Sequence, residues 1–538
     1  MSDLHNEALA NVFRHLLPEM VLGTAACLIF LGGTIKSCRH LWGWVALGGL
    51  LTALLVLGVS PRYEFDTPLE AQAATFGAPV LLDGLATLIR VIAICSGIVL
   101  ALFSWNELPD RQAADHQACL LVIIAGVCLT ASANDLVMLF LALELISIPT
   151  YILLYLPRHD EAAQEAALKY FLLSIFSSGL LLFGFSYLYG LTGTTNISAM
   201  LHTLNNAAAR EVPVIASVAL IMVVAGLGFR ITAAPFHFYA PDVYQGAPTV
   251  GAALLAFVPK VAGFVALLRV LGFVMPVGEP ARGGLIGMGL SEQVPILFWF
   301  LAVITMFLGN ILALLQDNIK RLLAYSSVAH AGYMLIALAS APYLAGMSNG
   351  PDGVVALLYY LVAYGVMTIG AFAVISYLSS PERPLENVDD LAGLSRSHPS
   401  VAFLMAIFLF SLIGIPLTAG FNGKFLVFFG ALNADHARQE AFPGDQASLF
   451  TILAFLGVIN AAIGAWYYLR LLGVMYLRNP LRPIEVPSNL PALVTLGLCA
   501  LLTVGLSFPP GANWLLQATR NAVGSRPVAS VLQVAVDR

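Results

Sequence analysis

Charged residues are scarce in this sequence, and the usual signatures of nucleotide-binding enzymes are missing. Only 10% of the 538 residues are Asp, Glu, Lys or Arg, whereas soluble domains carry about a quarter. There is no GxxxxGK[ST] phosphate loop, and no GxGxxG lies between a strand and a helix. The net charge of −5 is small for this length, which argues against a nucleic-acid-binding surface.

Cysteine is also rare, and its placement argues against a metal centre. The six cysteines lie mostly inside apolar runs and form no CxxC pair. Small buried hydrophobes are the usual role of such thiols. We therefore expect no metal site, no disulfide framework and no redox chemistry within this chain.

What the sequence does contain is a series of long apolar runs. Apolar residues make up 59% of the chain, and the mean hydropathy is +0.86. Runs that match the ~20 residues needed to cross a bilayer predict an all-α polytopic membrane protein with about fourteen spans. Their predicted limits are 16–35, 41–60, 79–103, 117–133, 135–156, 165–190, 213–233, 248–274, 295–315, 319–340, 352–378, 400–432, 449–476 and 489–508.

The ends and loops of the chain predict its orientation. The N-terminal stretch lacks the basic region and early cleavage site of a signal peptide, so the first span is expected to remain. Loops after odd-numbered spans hold ten Lys and Arg residues, against five on the other side before the tail is counted. The tail adds Arg520, Arg526 and Arg538 to the smaller group. This excess predicts that both termini lie outside the cytoplasm.

Two of the predicted spans are interrupted by similar segments. "GFRITAAPFHFYAPDVYQGAP" follows span seven, and "GIPLTAGFNGKFLVF" lies within span twelve; each contains a Gly-x-x-x-Thr-Ala core. An odd shift of five spans inverts a unit in the bilayer, and paired broken helices mark the transport site of many carriers. Pro235 frees backbone carbonyls beside His237, which favours a polar path. An ordinary interfacial loop is the alternative.

Three ionisable residues fall well inside predicted spans, where their cost usually means a function. They are Glu144 in span five, Lys260 in span eight and Lys424 in span twelve. Burial brings the proton affinities of lysine and glutamate closer together, which suits proton exchange. A structural ion pair or a misdrawn span is the alternative for each. Arg90 in span three is also central, and we expect a structural pair with Asp83.

Other polar residues could join such a relay. Arg230 keeps its proton and can only modulate, and Lys169 is either a snorkelling side chain or a relay member. His330 could bridge two halves of the molecule, or could be a satisfied packing residue. Ser326, Ser327 and Tyr333 lie near it in the sequence. A stripe on span eleven could hold water or pack against a helix, and consists of Tyr360, Tyr364 and Thr368.

The segments "PFHFYAPDVYQGAP", "DNIKRLLAYSSVAHAGYM" and "GIPLTAGFNGKF" resemble those of the antiporter-like membrane subunits of respiratory NADH:quinone oxidoreductase, complex I. Within that family the Asp-Val-Tyr-Gln-Gly-Ala-Pro run is typical of the N-type subunit. The resemblance implies two inverted five-helix repeats with broken helices at spans seven and twelve. It implies four units with the limits 1–110 (three helices), 111–275 (first repeat), 292–477 (second repeat) and 478–538 (last helix and tail).

The same resemblance implies a role for each candidate residue. A central proton relay would use Glu144, Lys169, His237, Lys260 and Lys424, with His330 between the halves. The family's usual partner of the span-five glutamate is a lysine, whereas this chain has Arg230. We therefore expect Arg230 to act as a fixed charge beside Glu144, with the transported proton on Lys260 and His237 beside it.

The resemblance also implies a place in the cell and a set of partners. It predicts a multi-pass protein of the bacterial inner membrane that translocates protons, driven by quinone reduction in other subunits. Its neighbours would be the M-type subunit, the small K- and J-type subunits and membrane lipid. NADH, FMN, iron–sulfur clusters and quinone would lie in partner subunits, with no cofactor on this chain. A subunit of a sodium/proton antiporter and a structural membrane spacer are the alternatives.

Overall fold

The chain folds almost wholly into helices. The computed structural model describes residues 15–59, 78–156, 160–207, 214–272, 290–344, 352–379, 385–441, 448–480 and 490–524. Nineteen α-helices occur in these ranges, and we number them in chain order. The first ten are α1 (Leu17–Ile35), α2 (Arg39–Val59), α3 (Gly84–Ser104), α4 (Asp110–Ser132), α5 (Leu136–Tyr155), α6 (Glu161–Thr192), α7 (Ile197–Ala207), α8 (Val214–Arg230), α9 (Ala240–Gly246) and α10 (Thr249–Val270). The others are α11 (Leu290–Leu314), α12 (Ile319–Leu344), α13 (Gly353–Leu378), α14 (Leu394–Ser397), α15 (Pro399–Ile413), α16 (Ala419–Ala441), α17 (Leu449–Leu477), α18 (Leu490–Gly505) and α19 (Pro509–Val523).

Each predicted span coincides with one helix, except that span twelve covers α15 and the first part of α16, and the predicted all-helical polytopic fold is confirmed. Among the described residues, eleven helices are long and apolar enough to cross a membrane. The breaks shorten α8 to 17 residues and α15 to 15 residues, which is why these two spans do not qualify alone. The last span, α18, bends by 85° into α19, which occupies the start of the tail that the sequence left unplaced.

Three helices form the centre of the bundle. In their most apolar windows, α10 is 100% buried, α12 is 94% buried and α13 is 89% buried, whereas α1 and α17 are each 33% buried. A helix that is apolar all round belongs inside a bundle, and α10 packs directly against α13. The central helices carry Lys260, His330 and Tyr364, so protein rather than lipid surrounds these polar groups.

The loops show the same local structure twice, at positions five spans apart. Isolated bridges pair Asp135 with Asn196 and Asn318 with Asn387. The backbone hydrogen bonds that flank the bridges correspond one to one, namely Leu136–Thr195 and Ile197–Asn134 in the first, and Ile319–Glu386 and Val388–Asp317 in the second. This correspondence agrees with the predicted repeats, although the inverted repeat itself stays a prediction.

Two buried ion pairs join the N-terminal helices to each other and to α10. Arg90 Nε lies 2.8 Å from Glu19 Oε1, whereas Asp83 receives two hydrogen bonds of 2.6 Å from Arg269. The expected Arg90–Asp83 pair is therefore wrong. Asp83 caps α3 through the Ala86 amide, and Arg90 lies about 10 Å further along the same helix. Each residue consequently meets a different neighbouring helix.

Candidate functional site

The break in span twelve provides hydrogen-bond acceptors for the side chain of Lys424. Helix α15 ends at Ile413 and α16 begins at Ala419, and Gly414 between them has a φ of 85°. Lys424 Nζ donates hydrogen bonds of 2.9 Å to the carbonyl oxygens of Leu412 and Ile413. These carbonyls end a helix and carry its partial negative charge. The broken helix therefore supplies the acceptors that a buried ammonium requires.

At the end of α8, a cation meets the glutamate of span five. Arg230 Nη2 lies 3.5 Å from Glu144 Oε1, and the two side chains are 3% and 24% exposed. The Ser178 hydroxyl donates to the same carboxylate oxygen at 2.5 Å. The structure thus places Arg230 beside Glu144, as the sequence predicts. Glu144 has a carboxylate that is held by one fixed charge and one hydroxyl.

Lys260 lies at the middle of α10 and is completely buried. Its Nζ donates to the backbone carbonyl and to the hydroxyl of Ser327 on α12, and it lies 5.0 Å from the ring centre of Tyr364. The Tyr364 hydroxyl donates to the same Ser327 hydroxyl at 2.8 Å. Among the described residues, no carboxylate pairs with Lys260. A lysine in these surroundings is suited to change its protonation state, because no fixed negative charge holds its proton.

His330 continues the polar line along α12, one helical turn from Ser326 and Ser327. Its Nδ1 lies 2.5 Å from the Tyr360 hydroxyl and its Nε2 lies 3.1 Å from the Tyr468 hydroxyl. Tyr468 also hydrogen-bonds Ser326. The imidazole is therefore satisfied on both nitrogens, and each partner is a hydroxyl that can donate or accept. The packing and relay interpretations of His330 are both compatible with these contacts.

Aromatic residues connect His330 to Lys424. The ring centre of Tyr333 lies 5.7 Å from that of His330 and 5.0 Å from Lys424 Nζ. The Tyr333 hydroxyl accepts a hydrogen bond of 3.2 Å from Asn310. Lys260, His330 and Lys424 thus follow one another through the centre of the bundle, with the Tyr333 ring between the last two.

The end of α8, which carries Arg230 of the Glu144–Arg230 pair, packs closely against α10, which carries Lys260. Gly263 lies one turn beyond Lys260 on α10, and a Cβ at that position would come within 2.6 Å of Ile231 and 3.1 Å of Arg230 Cβ. Only glycine allows the two backbones to approach so closely. A movement at Arg230 would therefore press on α10 beside Lys260.

The place of His237 beside Lys260 stays a prediction. His237 lies in the break before α9 and is 8% exposed, and its Nδ1 is buried without a hydrogen-bond partner among the described residues. Neither a hydrogen bond nor an ion pair joins the two side chains in the described part of the chain. The interrupted segment leads to the buried helix α9, whose Tyr244 hydroxyl lies 3.5 Å from the Ser327 hydroxyl.

Lys169 belongs to a network at one end of the helices that the sequence did not reveal. Asp242 of α9 accepts hydrogen bonds from Lys169 on α6 at 2.5 Å and from Arg321 on α12 at 2.6 Å. Glu165 also pairs with Lys169, at 2.6 Å. Asp242 therefore links the two predicted repeats, one through each carboxylate oxygen. The quoted run Asp-Val-Tyr-Gln-Gly-Ala-Pro contained this residue, but its partners are 73 and 79 positions away.

No group of three or more His, Cys, Asp or Glu residues that could hold a metal occurs in the described ranges.

The sequence of this chain is similar to the sequences of known membrane proteins. The family model for the membrane part of NADH:quinone oxidoreductase and Mrp antiporters matches residues 133–442, a range that contains all seven candidate residues. The NADH-quinone oxidoreductase subunit N 1 of Solibacter usitatus is 39% identical over 513 residues, which are 94% of this chain and 96% of that relative.

The chain belongs to the NADH-quinone oxidoreductase subunit N family. Among solved structures, a chain of respiratory complex I from Thermus thermophilus is 29% identical, has a TM-score of 0.68, and matches over 92% of this chain and 97% of that chain. A chain of the Mrp complex from Dietzia has a TM-score of 0.73 at 18% identity, over 96% of this chain and 99% of that one. This second likeness shows the fold alone. Membership of the subunit N family agrees with the resemblance found in the sequence.

Proposed function

We propose that this chain is a membrane-arm subunit of the bacterial NADH:quinone oxidoreductase and moves protons through its buried polar line. Subunit N relatives and a complex I chain support the assignment. The observation that carries the mechanism is Lys260, a fully buried lysine whose Nζ has hydroxyl and carbonyl partners but, among the described residues, no carboxylate partner. Burying a charge without a counter-ion is costly, so a lysine placed there is expected to gain and lose a proton.

Each candidate residue has a part in this proposal. Arg230 stays charged and holds Glu144, and a change in this pair acts on α10 through the contact at Gly263. The proton on Lys260 then passes through Ser327, the neighbouring hydroxyls and His330 toward Lys424. Lys424 in turn is stabilised by the carbonyls at the end of α15. Lys169 contributes through Asp242 rather than as a link in the central line, and His237 lies beside the line.

The proposal also covers the surroundings of the chain. Other complex I subunits are its partners, with the M-type subunit and the small K- and J-type subunits as neighbours. NADH, FMN, iron–sulfur clusters and quinone belong to those partners, and this chain itself performs no redox step. The chain lies in the inner membrane, with both termini on the periplasmic side. The units 1–110, 111–275, 292–477 and 478–538 are proposed as its parts, the two middle ones being inverted repeats.

The experiment compares inside-out vesicles that contain wild-type, Lys260→Met or Lys36→Met protein. Lys36 is an exposed lysine at the end of α1, so its variant controls for the loss of a lysine as such. NADH-driven acidification and sodium-driven proton exchange without NADH are both measured. Loss of the first in Lys260→Met alone, with the complex still assembled, supports the proposal. If Lys260→Met kept NADH-driven acidification but lost sodium-driven proton exchange, the chain would be an antiporter subunit. If both activities were unchanged in Lys260→Met, the chain would be a structural membrane spacer.

A further inference from the structure

A carboxyl group outside the central line reaches one end of α10. Glu107 lies in the loop between α3 and α4, and its Oε1 accepts the Val250 amide at 3.2 Å. The Thr249 amide and the Ser376 hydroxyl lie near this carboxyl. Its second oxygen, Oε2, is buried and has no hydrogen-bond partner among the described residues. Glu107 is partly exposed as a whole, so it lies between the surface of this chain and its interior.

Ser376 begins a polar face of α13 that leads inward to Lys260. Residues four and eight positions apart share one face of a helix, and Ser376, Thr368 and Tyr364 are related in this way. The Thr368 hydroxyl is buried beside Tyr364, and Tyr364 hydrogen-bonds the Ser327 hydroxyl that holds Lys260. The buried Oε2 of Glu107 is the kind of group that internal water satisfies.

Between Ser376 and Thr368 the face is apolar over about 12 Å. Phe372 occupies this interval and packs against Tyr244, with 6.1 Å between the ring centres. Tyr244 also lies 3.5 Å from Ser327, so one residue of α9 contacts both the apolar step and the Lys260 site. A displacement of α9, which Asp242 fastens to α6 and α12, would open or close this step to water.

Among the described residues, a lysine of α12 is the charged group that acts on Glu107. Lys320 of α12 attracts the carboxylate and donates to the Ala247 carbonyl at 2.9 Å, beside the start of α10. Burial raises the pKa of the Glu107 carboxyl above its usual value, against the opposing effect of Lys320. A carboxyl in this situation holds a proton closer to neutral pH than an exposed glutamate does.

We propose that Glu107 exchanges protons between the water at this end of the molecule and Lys260, along the polar face of α13. The neutral Glu107 carboxyl releases its proton to internal water, and the Lys260 amine takes up a proton from that water chain. Bulk water then returns a proton to the Glu107 carboxylate, so that one proton has moved inward and no bond other than O–H and N–H has changed. This proposal rests on the proposed function, and it names the group at which protons are exchanged with bulk water.

The competing explanation is that Glu107 only caps α10, since carboxylates are favourable at helix N-termini. Two substitutions separate the explanations. Glu107→Gln keeps the length and the acceptor oxygen for Val250 but has no acidic proton. Glu107→Asp keeps an acidic proton but is one methylene too short for the same cap. Asp352→Asn is the matched control, because Asp352 caps α13 through the Val354 amide at 2.8 Å.

The measurement is the number of protons moved per NADH oxidised by the assembled complex in inside-out vesicles. We expect Glu107→Gln to fall to the level of Lys260→Met, Glu107→Asp to retain pumping with a shifted pH profile, and Asp352→Asn to match wild type. Normal pumping by Glu107→Gln while Lys260→Met fails would overturn the role of Glu107 but not the proposed function. Loss of assembly in Glu107→Gln would show that Glu107 acts only as a helix cap, and this result would also overturn the proposal. Normal pumping by Lys260→Met would instead overturn the proposed function.

Discussion

The buried Arg269–Asp83 pair fastens α10 to the N-terminal helices, and its removal should have a large and measurable cost. Arg269 donates to both Asp83 oxygens at 2.6 Å and to the Ala131 carbonyl, and the two side chains are 4% and 1% exposed. Arg269→Met leaves Asp83 buried with a charge and without its cation. Breaking a buried pair in this way costs about 3–5 kcal/mol, or at least a hundredfold in an equilibrium constant.

A double substitution tests whether that cost comes from the unpaired charge. Arg269→Met combined with Asp83→Asn removes both charges, and we expect it to recover a substantial part of the lost stability. An exposed pair of the same residue types provides the control. Arg39 and Asp110 lie 3.5 Å apart and are 37% and 59% exposed, so Arg39→Met should cost less than about 1 kcal/mol.

Thermal dissociation of the purified complex is the assay, with this subunit followed by native electrophoresis. We expect the subunit to dissociate at a lower temperature in Arg269→Met, at an intermediate temperature in the double variant, and near the wild-type temperature in Arg39→Met. Equal effects of Arg269→Met and Arg39→Met would refute the reasoning, because burial would then not decide the strength of the pair. A double variant weaker than Arg269→Met would refute the unpaired-charge explanation.

Three further substitutions, at Arg230 and Asp242, test the polar contacts around the central line. Arg230→Lys keeps a cation beside Glu144 and should keep proton pumping, whereas Arg230→Met should lower it; equal vesicle acidification by both would contradict the fixed-charge role. Asp242→Asn weakens the bonds to Lys169 and Arg321, which are partly exposed and worth about 1 kcal/mol or less each. We therefore expect nearly normal assembly but reduced pumping by Asp242→Asn, and unchanged pumping would show that Asp242 does not couple the two repeats.

Local patterns in the sequence predicted the helices and the breaks. Apolar runs of sufficient length predicted the spans, and the Gly-x-x-x-Thr-Ala cores marked both interruptions because proline and glycine disturb helical hydrogen bonding. Charges in otherwise apolar runs predicted Glu144, Lys260 and Lys424, since such charges are rarely placed in a membrane span without a function. These inferences depend only on residues close together in the chain.

Long-range partners could not be predicted in the same way. Arg269 and Asp83 are 186 positions apart, and nothing in a single sequence relates two such residues. The roles of Asp242 and Glu107 were hidden for a similar reason, because their partners lie 73 to 143 positions away in the chain. The partner of Lys260 was equally hidden, because its ammonium binds Ser327, which is 67 positions away.

The role of Lys260 as a carrier of a transported proton can be tested by the number of protons moved per NADH oxidised by purified complex in liposomes. We expect Lys260→Met to lower this ratio and Lys36→Met to leave it unchanged, because only Lys260 lies in the buried line. An unchanged ratio in an assembled Lys260→Met complex would contradict the claim that this lysine carries a transported proton.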